Sequence, residues 1–179
     1  MDENKMEKRI LLDTSVYGKL AEDSFLYPLL LEKKKQVDFV FYGAPLIRNE
    51  LRATPKYRKI ENKSIRAYVL FLYDNLITKE NHILKMNFFI EKLSELYITE
   101  YKRRGGSFSS AELKNDFIIV AYATMYGLDI LVSNDKRTMF SNTALLSYGA
   151  VNKTQGFKNP TYLHYNKFRE QLLKRSGIL

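Results

Sequence analysis

Two short apolar runs in this chain stop abruptly at an aspartate. Ile10-Leu11-Leu12 ends at Asp13, and Leu131-Val132 runs through Ser133-Asn134 into Asp135. A run this short, with alternating helix-like segments around it, reads as a buried strand of a parallel sheet. In such sheets the carboxyl ends of the strands open onto one crevice. Two acids more than a hundred residues apart are therefore expected at the same sheet edge. Asp38 and Asp129 precede their strands and should face the opposite edge.

Two further carboxylates, Glu50 and Asp116, lie between them in apolar, helix-like stretches. Four carboxylates with no cysteine in the chain, and only His82 and His164 as imidazoles, form an oxygen-donor set suited to Mg²⁺ or Mn²⁺. The absence of cysteine also excludes disulfides and thiolate sites. Lys and Arg number 29 against 20 Asp and Glu, a net charge of +9, which favours a polyanionic partner. Acids with a divalent cation on such a chain point to cleavage of a nucleic acid.

The rest of the chain alternates in the way that fold requires. A helix is expected from about Ser15 to Glu22, another from Phe25 to Lys35, and a strand from Val37 to Tyr42. Pro45 suits the first position of the helix carrying Glu50, and Thr54-Pro55 should end it. Ile65, Val69, Leu72 and Leu76 form one stripe of a helix placed at Asn62 to Leu76. Phe88 to Tyr101 reads as another, broken by Gly105-Gly106-Ser107.

Ser109 and Glu112 match a capping box opening a helix that runs to Tyr126 and stops at Gly127. Asp129 to Val132 is a strand, a short helix should follow Asp135, and Thr161 to Tyr165 is a last strand. The expected fold class is a three-layer α/β/α sandwich with a central, mainly parallel sheet. A length of 179 residues suits a single domain over 1–179. It would carry an extended helical region at about 55–108 and a basic C-terminal helix at about 166–176. The N-terminus is charged and lacks the apolar core of a signal peptide. No stretch approaches the roughly 18 apolar residues of a membrane span, so a cytoplasmic protein is expected.

Each acid also has an ordinary structural reading. Asp13 could simply cap the following helix, with Thr14 or Ser15 sharing that role. Asp135 competes with Asn134 as a cap and is followed by Lys136 and Arg137, which invite a surface ion pair. Glu50 could pair with Arg48 or Arg52. Asp116 is harder to explain away, because Ile119, Val120 and Ala123 surround it on its helix. A carboxylate buried there costs several kcal/mol unless a cation compensates it. Glu112, one turn earlier, is either only the capping-box partner or a supporting carboxylate at the site.

These residues resemble, in order and spacing, the motifs of the PIN-domain family of ribonucleases, which includes the VapC-type toxins. Leu12-Asp13-Thr14-Ser15 is similar to the family's first motif and Asn49-Glu50-Leu51 to its second. Asp116 through Ala123 resembles the third, and Val132-Ser133-Asn134-Asp135 the fourth. The resemblance spans roughly residues 9–140. It departs where a common aromatic three residues after the last acid is replaced by Thr138, with Phe140 two further on, and in the longer segment between Glu50 and Asp116.

The resemblance implies that Asp13, Glu50, Asp116 and Asp135 hold one or two Mg²⁺ or Mn²⁺ ions for cleavage of RNA. Thr14 and Ser133 would hydrogen-bond a ligand carboxylate or the water, unless they only cap. It implies a homodimer, and, in a toxin, a small antitoxin partner. Substrate contacts are expected from Arg52, Lys56, Arg58, Lys136 and Arg137, with Lys59 nearby and Tyr57 available to stack on an unpaired base. Three alternatives compete. A phosphatase of the haloacid-dehalogenase type needs an acid two residues after the first, where Ser15 stands. A nucleotide-binding domain needs a glycine-rich loop after the first strand, and none is present. A non-catalytic PIN-like module binding RNA or protein would keep the fold alone.

Overall fold

The structure is a computed structural model that describes residues 7–36, 38–55, 59–60 and 63–177. The chain opens with β1 (Lys8–Leu12), α1 (Thr14–Glu22), α2 (Leu26–Lys35), β2 (Phe39–Tyr42) and α3 (Pro45–Ala53). A hairpin of β3 (Lys59–Ile60) and β4 (Lys63–Ser64) then leads into α4 (Ile65–Leu76) and α5 (Phe88–Arg103). The second half runs through α6 (Ser110–Met125), β5 (Ile130–Ser133), α7 (Asn142–Gln155), β6 (Thr161–His164) and α8 (Tyr165–Arg175).

The four longer strands form one sheet in the order β2-β1-β5-β6, and every neighbouring pair is parallel. Ile10, Leu11 and Leu12 are all essentially inaccessible to solvent, as a central strand covered on both faces must be. Register assigns the faces. Leu11, Tyr42, Leu131 and Tyr162 align across the sheet and share one face, where the Tyr162 ring meets Tyr148 of α7 at 5.7 Å. Phe39 aligns with Lys8 and so points the other way, where its ring meets Phe168 of α8 at 6.5 Å. Helices on both faces make the expected three layers.

The chain leaves β1 toward β2 on one side and leaves β5 toward β6 on the other. The point where these directions diverge lies between β1 and β5, the place where a crevice opens in sheets of this kind. Leu12 is in register with Val132, and the Asp13 amide donates to the Val132 carbonyl at 2.9 Å. Asp13 and Ser133 are thereby neighbours across the sheet edge.

α6 is buried along most of its length, and Tyr97, Tyr101, Phe117 and Tyr148 meet edge-on around it with ring centroids 5.0 to 6.5 Å apart. The helix ends at Gly127, whose φ of +59° is the left-handed conformation that glycine adopts without strain. Among the described residues no helix is long and apolar enough to cross a membrane.

Two expectations are corrected. The helix placed at Asn62 to Leu76 begins at Ile65, because the apolar stripe itself starts there and the residues before it pair as a hairpin. The short helix expected after Asp135 is instead a run of turns. The helix that follows, α7, is long and begins at Asn142, capped by Ser141. The Asp135 side chain accepts the amides of Arg137 and Thr138, which holds the chain in a turn.

Candidate active site

Asp13 caps α1, but its side chain does more than cap. It is buried, 5% exposed, and its Oδ2 accepts bonds from Ser15 Oγ at 2.5 Å and Ser133 Oγ at 2.8 Å. The same serines are tied to the turn after β5. The Asn134 amide donates to Ser15 Oγ, and the Asp135 amide to Ser133 Oγ, each at 3.0 Å. Burial raises the Asp13 pKa, and the serine bonds only partly oppose it.

Glu50 points inward from α3. Its Oε2 accepts from Thr14 Oγ1 at 2.5 Å and its Oε1 from Asn115 Nδ2 at 2.7 Å, so one carboxylate links α3 to α1 and α6. The arginines that might have claimed it do not. Arg48 makes a paired contact with Asp74, with both bonds at 3.0 Å, and Arg52 is exposed.

Asp116 stands two turns into α6, half-buried, and its Oδ2 accepts a bond from the hydroxyl of Thr138. Burial pushes its pKa up to about 7. The Thr138 bond opposes the shift, and the negative charges of Asp13, Asp135 and Glu50 add to it. Asp135 differs. Burial also penalises its charge, yet bonds from the Thr138 hydroxyl and from successive backbone amides outweigh that and lower its pKa. The Thr138 hydroxyl contacts both Asp116 and Asp135. One hydroxyl proton serves one carboxylate at a time.

The four acids thus meet, with Asp116 close enough to feel the charge of the other three. Among the described residues, none of them forms an ion pair with lysine or arginine. Carboxylate, hydroxyl and amide oxygens make up the donor set, which is the chemistry of a hard divalent cation. The side chains are nevertheless tied to hydroxyls rather than to one another. Among the described residues no three acids or histidines are arranged as a ready cation cage. Two hollows, of about 300 and 400 Å³, lie along α5 and share no residue with the acidic cluster.

The remaining candidates are scattered. Glu112 is exposed and closes the capping box, accepting the Ser109 amide at 2.8 Å. Lys136 and Arg137 are exposed beside Asp135, and the Arg137 guanidinium lies 5.0 Å from the Phe108 ring. Lys56, Tyr57 and Arg58 lie outside the described residues, and Lys59 falls in β3. Arg103 and Arg104 are both held by Glu100. Sequence reasoning gave no site role to Asn115 and took Thr138 only as a departure from a motif. Thr138 stands three residues from Asp135, which is a local signal, whereas Asn115 reaches Glu50 across 65 positions and carries none.

No protein-family model matches this chain, and no curated protein matches its sequence. Its architecture does have counterparts among solved structures. A chain of the VapBC-1 structure from nontypeable Haemophilus influenzae superimposes with a TM-score of 0.55 over 89% of this chain and 99% of that one, at 15% identity. The fold is PIN-like. A second match is a chain of VapBC2 from Rickettsia felis, in a structure bound to a DNA fragment from their promoter. It has a TM-score of 0.53, 16% identity, and coverage of 87% and 98% of the two chains.

Proposed function

We propose that the protein is a metal-dependent endoribonuclease cleaving RNA phosphodiester bonds through Asp13, Glu50, Asp116 and Asp135. The observation that carries this reading is the uncompensated charge around Asp116, a half-buried carboxyl group crowded by three other acids with no basic partner among the described residues. One or two Mg²⁺ or Mn²⁺ ions held by these four acids would supply a water of lowered pKa and offset the charge developing on the phosphate. The chain's own residues set the ligands for that role. Ser15 and Ser133 orient Asp13, Thr14 and Asn115 orient Glu50, and the Ser109–Glu112 capping box fixes the start of the helix on which Asp116 rides. Arg52, Lys56, Arg58, Lys136 and Arg137 would hold the RNA backbone.

The likeness to chains of VapBC structures supports a setting as the toxin of a toxin–antitoxin pair, with a small antitoxin and a second copy of the chain as partners. An RNA-processing enzyme is the other setting. The hydroxyl-tied arrangement, short of a ready cation cage among the described residues, favours a second reading, a non-catalytic PIN-like module binding RNA or protein.

Purified wild type and Asp116→Asn, incubated with single-stranded and structured RNA in Mn²⁺, Mg²⁺ or EDTA, separate the two. Cleavage that requires the metal and disappears in the variant is the expected outcome. RNA binding without cleavage by either protein would favour the module. Cleavage persisting in EDTA or in the variant would sink the four-acid site.

A further inference from the structure

Two of the four acids are steadied by residues that each touch one carboxylate side chain: Ser15 and Ser133 on Asp13, and Thr14 and Asn115 on Glu50. Thr138 is different. Among the described residues it alone hydrogen-bonds two of the four carboxylates, Asp116 on α6 and Asp135 at the end of the β5 turn. It also grips Asp135 a second time, its backbone amide donating to Oδ1 at 2.9 Å.

The hydroxyl does not owe its place to a free rotor. Met139 is fully buried, its carbonyl accepts the Tyr148 hydroxyl at 3.1 Å, and the Thr138 carbonyl accepts Ser141 Oγ at 3.1 Å. The Phe140 amide closes the turn on the Asp135 carbonyl at 3.1 Å. A β-branched side chain on a backbone so fixed has little χ1 freedom left.

On Asp116 only Oδ2 is taken. Oδ1 has no hydrogen-bond partner among the described residues. A carboxylate held by one oxygen presents the other in a set direction, as the outer partners of metal ligands do.

We propose that Thr138 is the positioning residue of the acidic cluster: its hydroxyl lies between Asp116 and Asp135, sets their spacing, and occupies Oδ2 of Asp116 so that Oδ1 is left open for a cation. This rests on the metal-dependent reading above. Loss of the hydroxyl costs cation affinity without removing any ligand.

Mn²⁺ binding by isothermal titration calorimetry, on wild type, Thr138→Ser, Thr138→Val, Thr138→Ala and Asp116→Asn, tests this, with the melting temperature of each in EDTA as a control for folding. Wild type and Thr138→Ser are expected to bind alike, and Thr138→Val and Thr138→Ala at least about tenfold more weakly, the usual scale for such outer partners. Thr138→Ala serves if the valine variant fails to fold. Equal affinity in wild type and the hydroxyl-free variants would overturn the role of Thr138 while leaving the metal reading intact, as would a lowered melting temperature with unchanged affinity. No Mn²⁺ binding by wild type would overturn both, and the wild-type titration alone reports it.

Discussion

Asp116 carries the sharpest consequence at the scale of a single residue. Its pKa rises from 3.8 to about 7 on folding, first because burial disfavours the charge and then because three acids surround it. The folded state therefore binds a proton that the unfolded state has released. Stability from this group is intact below pH 4 and is lost as pH rises toward about 7. Asp116→Asn removes the charge and keeps an oxygen for the Thr138 hydroxyl. In EDTA at pH 8 the variant should melt higher than wild type by a few degrees, since about 1 kcal/mol moves a chain of this size by roughly 2–4 °C. At pH 4 the two should coincide. A variant less stable than wild type at pH 8 would mean that Asp116 has a cationic partner after all. Sequence alone marked Asp116 as anomalous because its helical neighbours are apolar. It could not show that Thr138 faces it from the next turn, since no local pattern encodes a contact between a helix and a loop.

Among the elements, those with local signals were legible and those made by tertiary pairing were not. The Ser109–Glu112 box and Gly127 delimit α6, and Pro45 opens α3, much as the sequence indicates. The β3–β4 hairpin and the turns at residues 136–140 depend on partners elsewhere in the chain. The docking of α8 belongs to the same class. Asp23, between α1 and α2, accepts the Leu26 amide on Oδ1 at 3.0 Å. Its Oδ2 takes Arg169 Nε at 2.6 Å and the Tyr165 hydroxyl at 3.0 Å. Burial alone would raise its pKa, but these bonds outweigh it and leave the pKa lowered. Its contribution is therefore present above about pH 4 and lost as pH falls through the depressed value. Asp23→Ala should lower stability to urea at pH 7 by about 1.5–3 kcal/mol, the usual scale for hydrogen bonds to a charged group, and by less at pH 3. An equal loss at both pH values would show that the side chain acts by packing rather than charge.

For the molecule as a whole, the sheet order brings Asp13 beside the turn that carries Asp135, and α3 and α6 bring Glu50 and Asp116 toward them. Strand polarity sorted Asp13 and Asp135 from Asp38 and Asp129 in the sequence because a parallel sheet has one carboxyl edge. Nothing comparable sorts lysines and arginines, since long solvated side chains carry no periodicity tied to a site. Placement leaves Arg137 as the best described candidate for substrate contact: it is exposed, adjacent to Asp135 and stacked on Phe108. If RNA is held through its phosphates, binding by the Asp116→Asn protein, measured in EDTA, should weaken steeply with salt. Each phosphate contact on a single strand contributes about 0.7 to the slope of log affinity against log salt. Adding Arg137→Ala should reduce that slope by about one contact and leave the melting temperature unchanged. An unchanged slope would place the RNA path elsewhere on the basic surface, and salt-independent binding would mean that the charge of +9 serves solubility rather than substrate.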